Sequence, residues 1–266
     1  MNKILLITAT CLVICFFSSC SGEKKESGEE QISAESPFRE SSDTRETPDS
    51  TINSIEGNVS LSQIGAIPHH VILTGLQEHR LVSVYKSKKD IPADNSYRKD
   101  IYDENDGADE DRITHFMPGI DILYGFNLLN VAHYGFQTEK LNYLFPHPVL
   151  VKSLYYPSYE QDSLNGRPVN RNYYLVSVYD GDSNKDTLIN KKDLRRLYHF
   201  NTDCSVRTLL VPADHSVIRS EYDPGNDVMY IYAVQDTNKN GSADKKEPMH
   251  IFWISLKEPV KAKRLY

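Results

Sequence analysis

The pentapeptide Leu81 to Tyr85, LVSVY, returns letter for letter as Leu175 to Tyr179, and Val228 to Val234 occupies the same place in a third stretch of the chain. Each is followed, after a long connection, by two short apolar runs around a turn. The first pair is Asn130 to Phe136 and Glu139 to Phe145, the second Arg196 to Asn201 and Ser205 to Pro212, the third His250 to Leu256 and Val260 to Tyr266. Short runs of Val, Ile, Leu and Tyr punctuated by Asn, Asp, Gly and Pro read as strands and turns. From about Leu61 onward the chain is therefore predicted to be all-β, built from three repeats of strand, long loop and hairpin. No long amphipathic helix is predicted. A unit this small cannot bury its apolar faces alone, so the three must stack on one another.

Two architectures satisfy that demand: an open or partial propeller-like array of sheets, and an irregular β-sandwich. The turn Asp223 to Asp227 (DPGND) before a strand, with a hairpin closing each unit, resembles the β-propeller repeats of periplasmic Tol-type proteins. That resemblance spans roughly residues 70 to 266. Closed propellers have about 4 to 8 blades, so three units imply an array that stays open or pairs with another chain.

The N-terminus reads as an address. Lys3 precedes an apolar stretch, Ile4 to Phe17, shorter than the roughly 20 residues that cross a bilayer as a helix, so residues 1–19 are predicted to be a cleaved signal peptide. Phe17, Ser18 and Ser19 before Cys20 resemble the lipobox of bacterial lipoproteins, with Phe17 where that family usually has Leu. The resemblance implies a diacylglycerol thioether on Cys20 and attachment to a membrane through the lipid alone; the alternative is an ordinary secretory signal. Ser21, in place of the Asp that retains some lipoproteins at the inner membrane, implies the outer membrane, facing either the periplasm or the surface. The acidic run around Glu29 and Glu30 is similar to tethers used for surface export. Residues 20–58 are rich in Ser, Glu, Lys, Thr and Pro and poor in large apolar residues, a composition that predicts a disordered linker ahead of a domain spanning 61–266.

A formal net charge of -7 with intermixed Lys and Glu argues against nucleic-acid binding, which needs a basic face to neutralise phosphates. Of the four cysteines, Cys11 and Cys15 lie inside the leader and Cys20 directly follows it. Cys204 alone is left to the folded part, where no intramolecular disulfide is possible, and it is expected to be a small buried apolar residue.

Asp236, Asn238, Asn240, Ser242, Asp244 and Glu247 stand at positions 1, 3, 5, 7, 9 and 12 of a twelve-residue stretch with Gly241 at position 6. In such a loop alternate residues point inward, Gly allows the left-handed turn, position 7 offers its backbone carbonyl and a terminal carboxylate can close the shell. An all-oxygen cage of this kind suits a hard dication. Asp182, Asn184, Asp186, Leu188, Asn190 and Asp193 repeat the offsets in the second unit, with Thr187 at position 6. The spacing resembles the EF-hand calcium loop, and the second copy resembles that of dockerin modules, with Ile189 at position 8. Calcium is the implied ion, and the Asp182 site, with Thr187 where Gly is comfortable, is expected to be weaker or more strained. The acidic stretch Asp103 to Asp111 lacks clean spacing and reads as a degenerate site or a solvated turn. Strands on either side, and Pro248 after Glu247, exclude the helices that usually flank such loops.

Nothing in the sequence names a reaction. There is no His-Glu-x-x-His, no Gly-x-Ser-x-Gly and no phosphate loop. His133, His199 and His250 fall in the first strand of each hairpin and read as repeat packing or, less simply, as a shared rim. The expectation is a binding or scaffold domain, with an unidentified protein or glycan as partner. The alternatives are a structural subunit of an envelope complex, and a glycan hydrolase using carboxylates such as Asp121, Glu160 and Asp162. Some of the seventeen tyrosines could line a groove for such a partner.

Overall fold

The structure, a computed structural model, describes residues 54–86, 112–125 and 128–266. The signal peptide, Cys20, most of the linker and the acidic stretch 103–111 lie outside the described residues. The described chain begins with β1 (Ile55–Glu56), β2 (Ala66–Leu73) and β3 (His79–Lys86), then makes the hairpin β4 (Arg112–Met117) and β5 (Ile120–Tyr124) before β6 (Leu128–Gly135) and β7 (Lys140–Tyr143). Next come β8 (Leu150–Pro157), the small hairpin β9 (Asp162–Leu164) and β10 (Arg167–Val169), β11 (Tyr173–Tyr179), β12 (Leu188–Ile189), β13 (Arg196–Asn201) and β14 (Arg207–Leu209). The last unit is β15 (His215–Asp223), β16 (Val228–Gln235), β17 (Met249–Ser255) and β18 (Lys263–Arg264). Among the described residues there is no helix, and none therefore long and apolar enough to cross a membrane.

The fold is all-β, in several antiparallel sheets that do not close into a barrel. Three of them are the predicted units, each with a strand that the sequence reading lacks. β2-β3-β6-β7, β8-β11-β13-β14 and β15-β16-β17-β18 are four-stranded meanders in chain order. The LVSVY strands are β3 and β11, each paired with the first strand of its hairpin, β6 and β13. The extra strand comes first in each unit. β8 is buried along nearly its whole length, so it shows no alternation of polar and apolar residues, the pattern by which strands are recognised. The second sheet has six strands in all, because β5 pairs with β8 and carries β4 outside it. The first unit thus contributes a hairpin to the sheet of the second.

Sheets meet in a repeated manner: β6 lies against β8, and β13 against β15. Leu81, Val131, Val151, Leu154, Val176 and Val178 belong to one buried cluster that joins the first two sheets, and each such side chain contributes about 1.5–3 kcal/mol when fully removed from water. Asn130, wholly buried, staples this region by donating to the Phe145 carbonyl (2.9 Å) and accepting from the Phe145 N–H (3.3 Å).

The domain begins earlier than its composition indicates. Ile55 pairs with Ile189 and is buried beside Leu129, Leu150 and Ile189, so the predicted linker boundary at residue 58 falls beyond a docked strand. Two residues carry no periodicity, and their neighbours are polar.

Candidate metal centre

Both twelve-residue stretches are connections between the second and third strands of a unit: β11 to β13 for the Asp182 loop, with β12 inside it, and β16 to β17 for the Asp236 loop. Their local structure follows from the same side chains at the same positions. The N–H of position 5 (Asp186, Asn240) donates to Oδ1 of the Asp at position 1 at 3.0 Å in both loops. It also reaches Oδ1 of the Asn at position 3, at 3.0 and 2.8 Å. The N–H of position 6 (Thr187, Gly241) donates to the other oxygen of position 1, at 2.9 and 3.0 Å, and that of position 7 (Leu188, Ser242) to Oδ1 of position 5, at 2.9 Å in both. The carboxylate at position 12 collects the far end. Asp193 accepts from the N–H groups of Ser183, Asn184 and Asn190, and Glu247 from those of Thr237, Asn238 and Asp244. Positive φ falls at positions 4 and 6 of both: Lys185 and Thr187, Lys239 and Gly241.

One loop architecture is thus built twice, with Glu for Asp at position 12 as an extra methylene. The sequence resemblance predicted the strain at Thr187, and its φ of 73° is an unfavourable conformation for a β-branched residue. An oxygen that accepts one N–H retains a second lone pair. Both carboxylate oxygens of Asp182 and Asp236, the Oδ1 atoms of Asn184, Asp186, Asn190, Asn238 and Asn240, and one oxygen each of Asp193 (Oδ2) and Glu247 (Oε2) accept a single N–H and therefore keep donor capacity for a hard cation, beside the Leu188 and Ser242 carbonyls. Among the described residues no three His, Cys, Asp or Glu side chains converge on one point. A cation here would depend on amide and carbonyl oxygens as much as on carboxylates. The electrostatics of the two ends differ: burial raises the pKa of Asp193 despite its N–H partners, whereas at Glu247 the N–H groups of Asp244, Asn238 and Thr237 outweigh burial and lower it.

The sequence gives no sign that the loops touch. Ser183, at position 2 of one, directs its hydroxyl to the carbonyl of Gly241, at position 6 of the other (2.6 Å), and to Asp193 Oδ1 (3.1 Å). The approach is close enough that a Cβ at Gly241 would stand 2.0 Å from the Ser183 carbonyl oxygen. Gly241 is therefore required twice over, by its φ of 77° and by this contact.

The carboxylates considered for hydrolysis are placed differently. Asp121 and Asp162 flank the exposed His115, whose Nδ1 lies 3.1 Å from Asp121 and Nε2 3.2 Å from Asp162, while Glu160 lines an open cavity of about 240 Å³ with Leu76, Gly119 and Arg171. The Asp162 carboxyl is held below its ordinary pKa, because the N–H groups of Gly119 and Ser163 and the charges of His115 and Arg171 outweigh burial. A catalytic acid needs the opposite shift.

The three hairpin histidines do not form a common rim. His133 and His199 face Leu81 and Leu175 in matching register, but His250 faces Ala233 near the other end of its strand. His133 Nε2 pairs with His79 Nδ1 at 2.8 Å, and His250 Nδ1 with His215 Nε2 at 2.8 Å. His199 packs against the ring of Tyr173. Cys204 packs against the main core cluster, and burial pushes its thiol pKa well up, as a small apolar residue rather than a nucleophile.

No protein-family model matches the chain, and no match was found among the curated proteins.

Proposed function

We propose that the chain is a lipid-anchored protein of the bacterial envelope, sorted to the outer membrane, whose β domain is braced by calcium in the Asp182 and Asp236 loops and serves as a binding or scaffold module for a protein or glycan. The observation that carries the calcium part is the duplication: two loops in equivalent connections share spacing, N–H pattern and left-handed positions, and they abut at Ser183 and Gly241. The anchor part rests on the residues before Cys20 and on the composition that follows. Sites of extracellular type bind calcium at about 10⁻⁴ to 10⁻³ M, a range that suits permanent bracing in a calcium-containing medium better than signalling. In the hydrolase reading the low pKa of Asp162 suits the ionised member of a carboxylate pair and not its acid.

Thermal unfolding of the full chain in detergent, with 5–10 mM calcium (on the order of ten times the expected Kd) and with chelator, tests the brace. Calcium is expected to raise the melting temperature, and Asp236→Ala to remove most of the rise; identical melting under both conditions would eliminate calcium. Cys20→Ala, followed by membrane fractionation and mass analysis of the N-terminal peptide, tests the anchor. The variant is expected in the aqueous fraction, and wild type found there as well would remove the lipid from the proposal.

A further inference from the structure

We infer that Ser54 to Gly57 form a latch held shut by the cation of the Asp182 loop, so that metal occupancy controls how the chain entering the domain is docked. The inference rests on the calcium reading proposed above and adds a purpose to one of its two sites. β1 has a single partner, β12, and β12 is positions 7 and 8 of that loop. The Gly57 N–H donates to the carbonyl of Thr187, position 6, at 2.9 Å.

Antiparallel pairing alternates hydrogen-bonded and non-hydrogen-bonded pairs. With Gly57 bonded to Thr187 and Ile55 opposite Ile189, Leu188 falls at the intervening position and turns its own N–H and C=O away from β1. Its N–H does meet Asp186 inside the loop, at 2.9 Å. The backbone of Thr187 to Ile189 therefore faces two ways: Leu188 offers its carbonyl to the cage, and the residues on either side of it hold β1. A cation that fixes Leu188 fixes the edge on which β1 lies. The Asp236 loop is organised otherwise, since Ser242 and Ala243 at its positions 7 and 8 pair with no strand among the described residues.

The docked strand also closes a seam. The Ile55 side chain is 3% exposed and packs with Leu129 of β6, Leu150 of β8 and Ile189 of β12, where the first unit meets the second. Lys86 holds the Ser54 carbonyl from the side of β3 (3.2 Å). A two-residue strand with so few bonds is marginal by itself, which makes its retention sensitive to the order of the loop beneath it. By linkage, if calcium tightens β1 on the loop, β1 must tighten calcium in the loop by the same factor.

Hydrogen–deuterium exchange on the full chain, with calcium and with chelator, tests the latch. Removal of calcium is expected to speed exchange at Ile55 to Gly57 at least tenfold. Asp186→Ala should show the fast rate even with calcium, and Asp244→Ala, in the other loop, should keep the calcium dependence. Should Asp186→Ala fail to fold, calcium titration of Ile55→Ala in the Asp244→Ala background reads the reciprocal effect, a several-fold loss of affinity at the remaining site. Calcium that slows exchange in residues 183–190 while leaving 55–57 unchanged overturns the latch and leaves the calcium reading standing. Loops that do not respond to calcium at all remove both.

Discussion

Arg171 and Asp227, 56 residues apart in sequence, meet in a two-pronged ion pair with N–O distances of 2.8 and 3.0 Å, their side chains 2% and 7% exposed. All five guanidinium N–H groups are used: Nη1 also donates to the Leu256 carbonyl (2.7 Å), and Nε and Nη2 donate to the Pro118 carbonyl (3.1 Å each). One side chain thereby ties the approach to β11 to the turn between β4 and β5, to the turn between β15 and β16, and to the end of β17.

Removing either partner leaves the other charge buried and unpaired, which costs about 3–5 kcal/mol. Asp227→Asn is expected to lower the melting temperature by on the order of 10 °C for a domain of this size. In a double-mutant cycle, Arg171→Met with Asp227→Leu should recover a large part of that loss. A change of only a degree or two in Asp227→Asn would mean that water reaches the pair.

Position 6 of the two loops should respond oppositely to substitution. Gly241→Ala places a methyl group 2.0 Å from the Ser183 carbonyl oxygen and forces a side chain onto positive φ, so urea unfolding should reveal a loss of at least about 2 kcal/mol. Thr187→Gly relieves an unfavourable φ at an exposed site and is expected to gain up to about 1 kcal/mol, the gain limited by the freedom glycine adds to the unfolded chain. A gain from Gly241→Ala would contradict the packing of one loop on the other.

Acid should weaken the fold in two stages. Burial lowers the pKa of His133, His199 and His250 from 6.5, and the charge of His79 adds to this at His133; the Nδ1 atoms of His133 and His199 are buried without hydrogen-bond partners. The folded state then binds fewer protons than the unfolded chain, so this stability is complete above about pH 6.5 and lost as pH falls through the lowered folded values. Asp203 and Asp214 have lowered pKa values, chiefly through hydrogen bonds from Ser205 and Gln235, and their contribution is present above about pH 4 and lost below it. Urea midpoints at pH 7.5, about 5.5 and about 3 should fall at each step, and His199→Leu should flatten the first. A midpoint unchanged between pH 7.5 and 5.5 would count against buried neutral histidines.

The parts of the fold legible from sequence are those whose environment has a period. β3, β6, β11, β13, β16 and β17 announce themselves by apolar runs between turn residues, and the three hairpins follow from their short polar connections. The first strands of the units were not legible: β8 is buried on both faces, and β2 carries Pro68 on an edge with a bulge before Val71, where proline is tolerated. The oxygen-bearing residues of the loops were readable because a fixed offset is a local property. Contacts between distant residues, such as Ser183 with Gly241, Arg171 with Asp227, and Ile55 with Ile189, leave no mark on spacing and emerge only once the chain is folded.

The hairpin of β4 and β5, taken from the first unit and laid on β8 of the second, has a consequence for the history of such a chain. In a simple tandem array each module keeps its own strands and leans only on its neighbours, so the two ends can fray separately. Here excision of the first module would strip the second sheet of its outer two strands and leave the β8 edge bare, an edge open to pairing with foreign strands. That junction is thereby sealed: the array cannot be shortened there without also taking two strands from the neighbouring sheet.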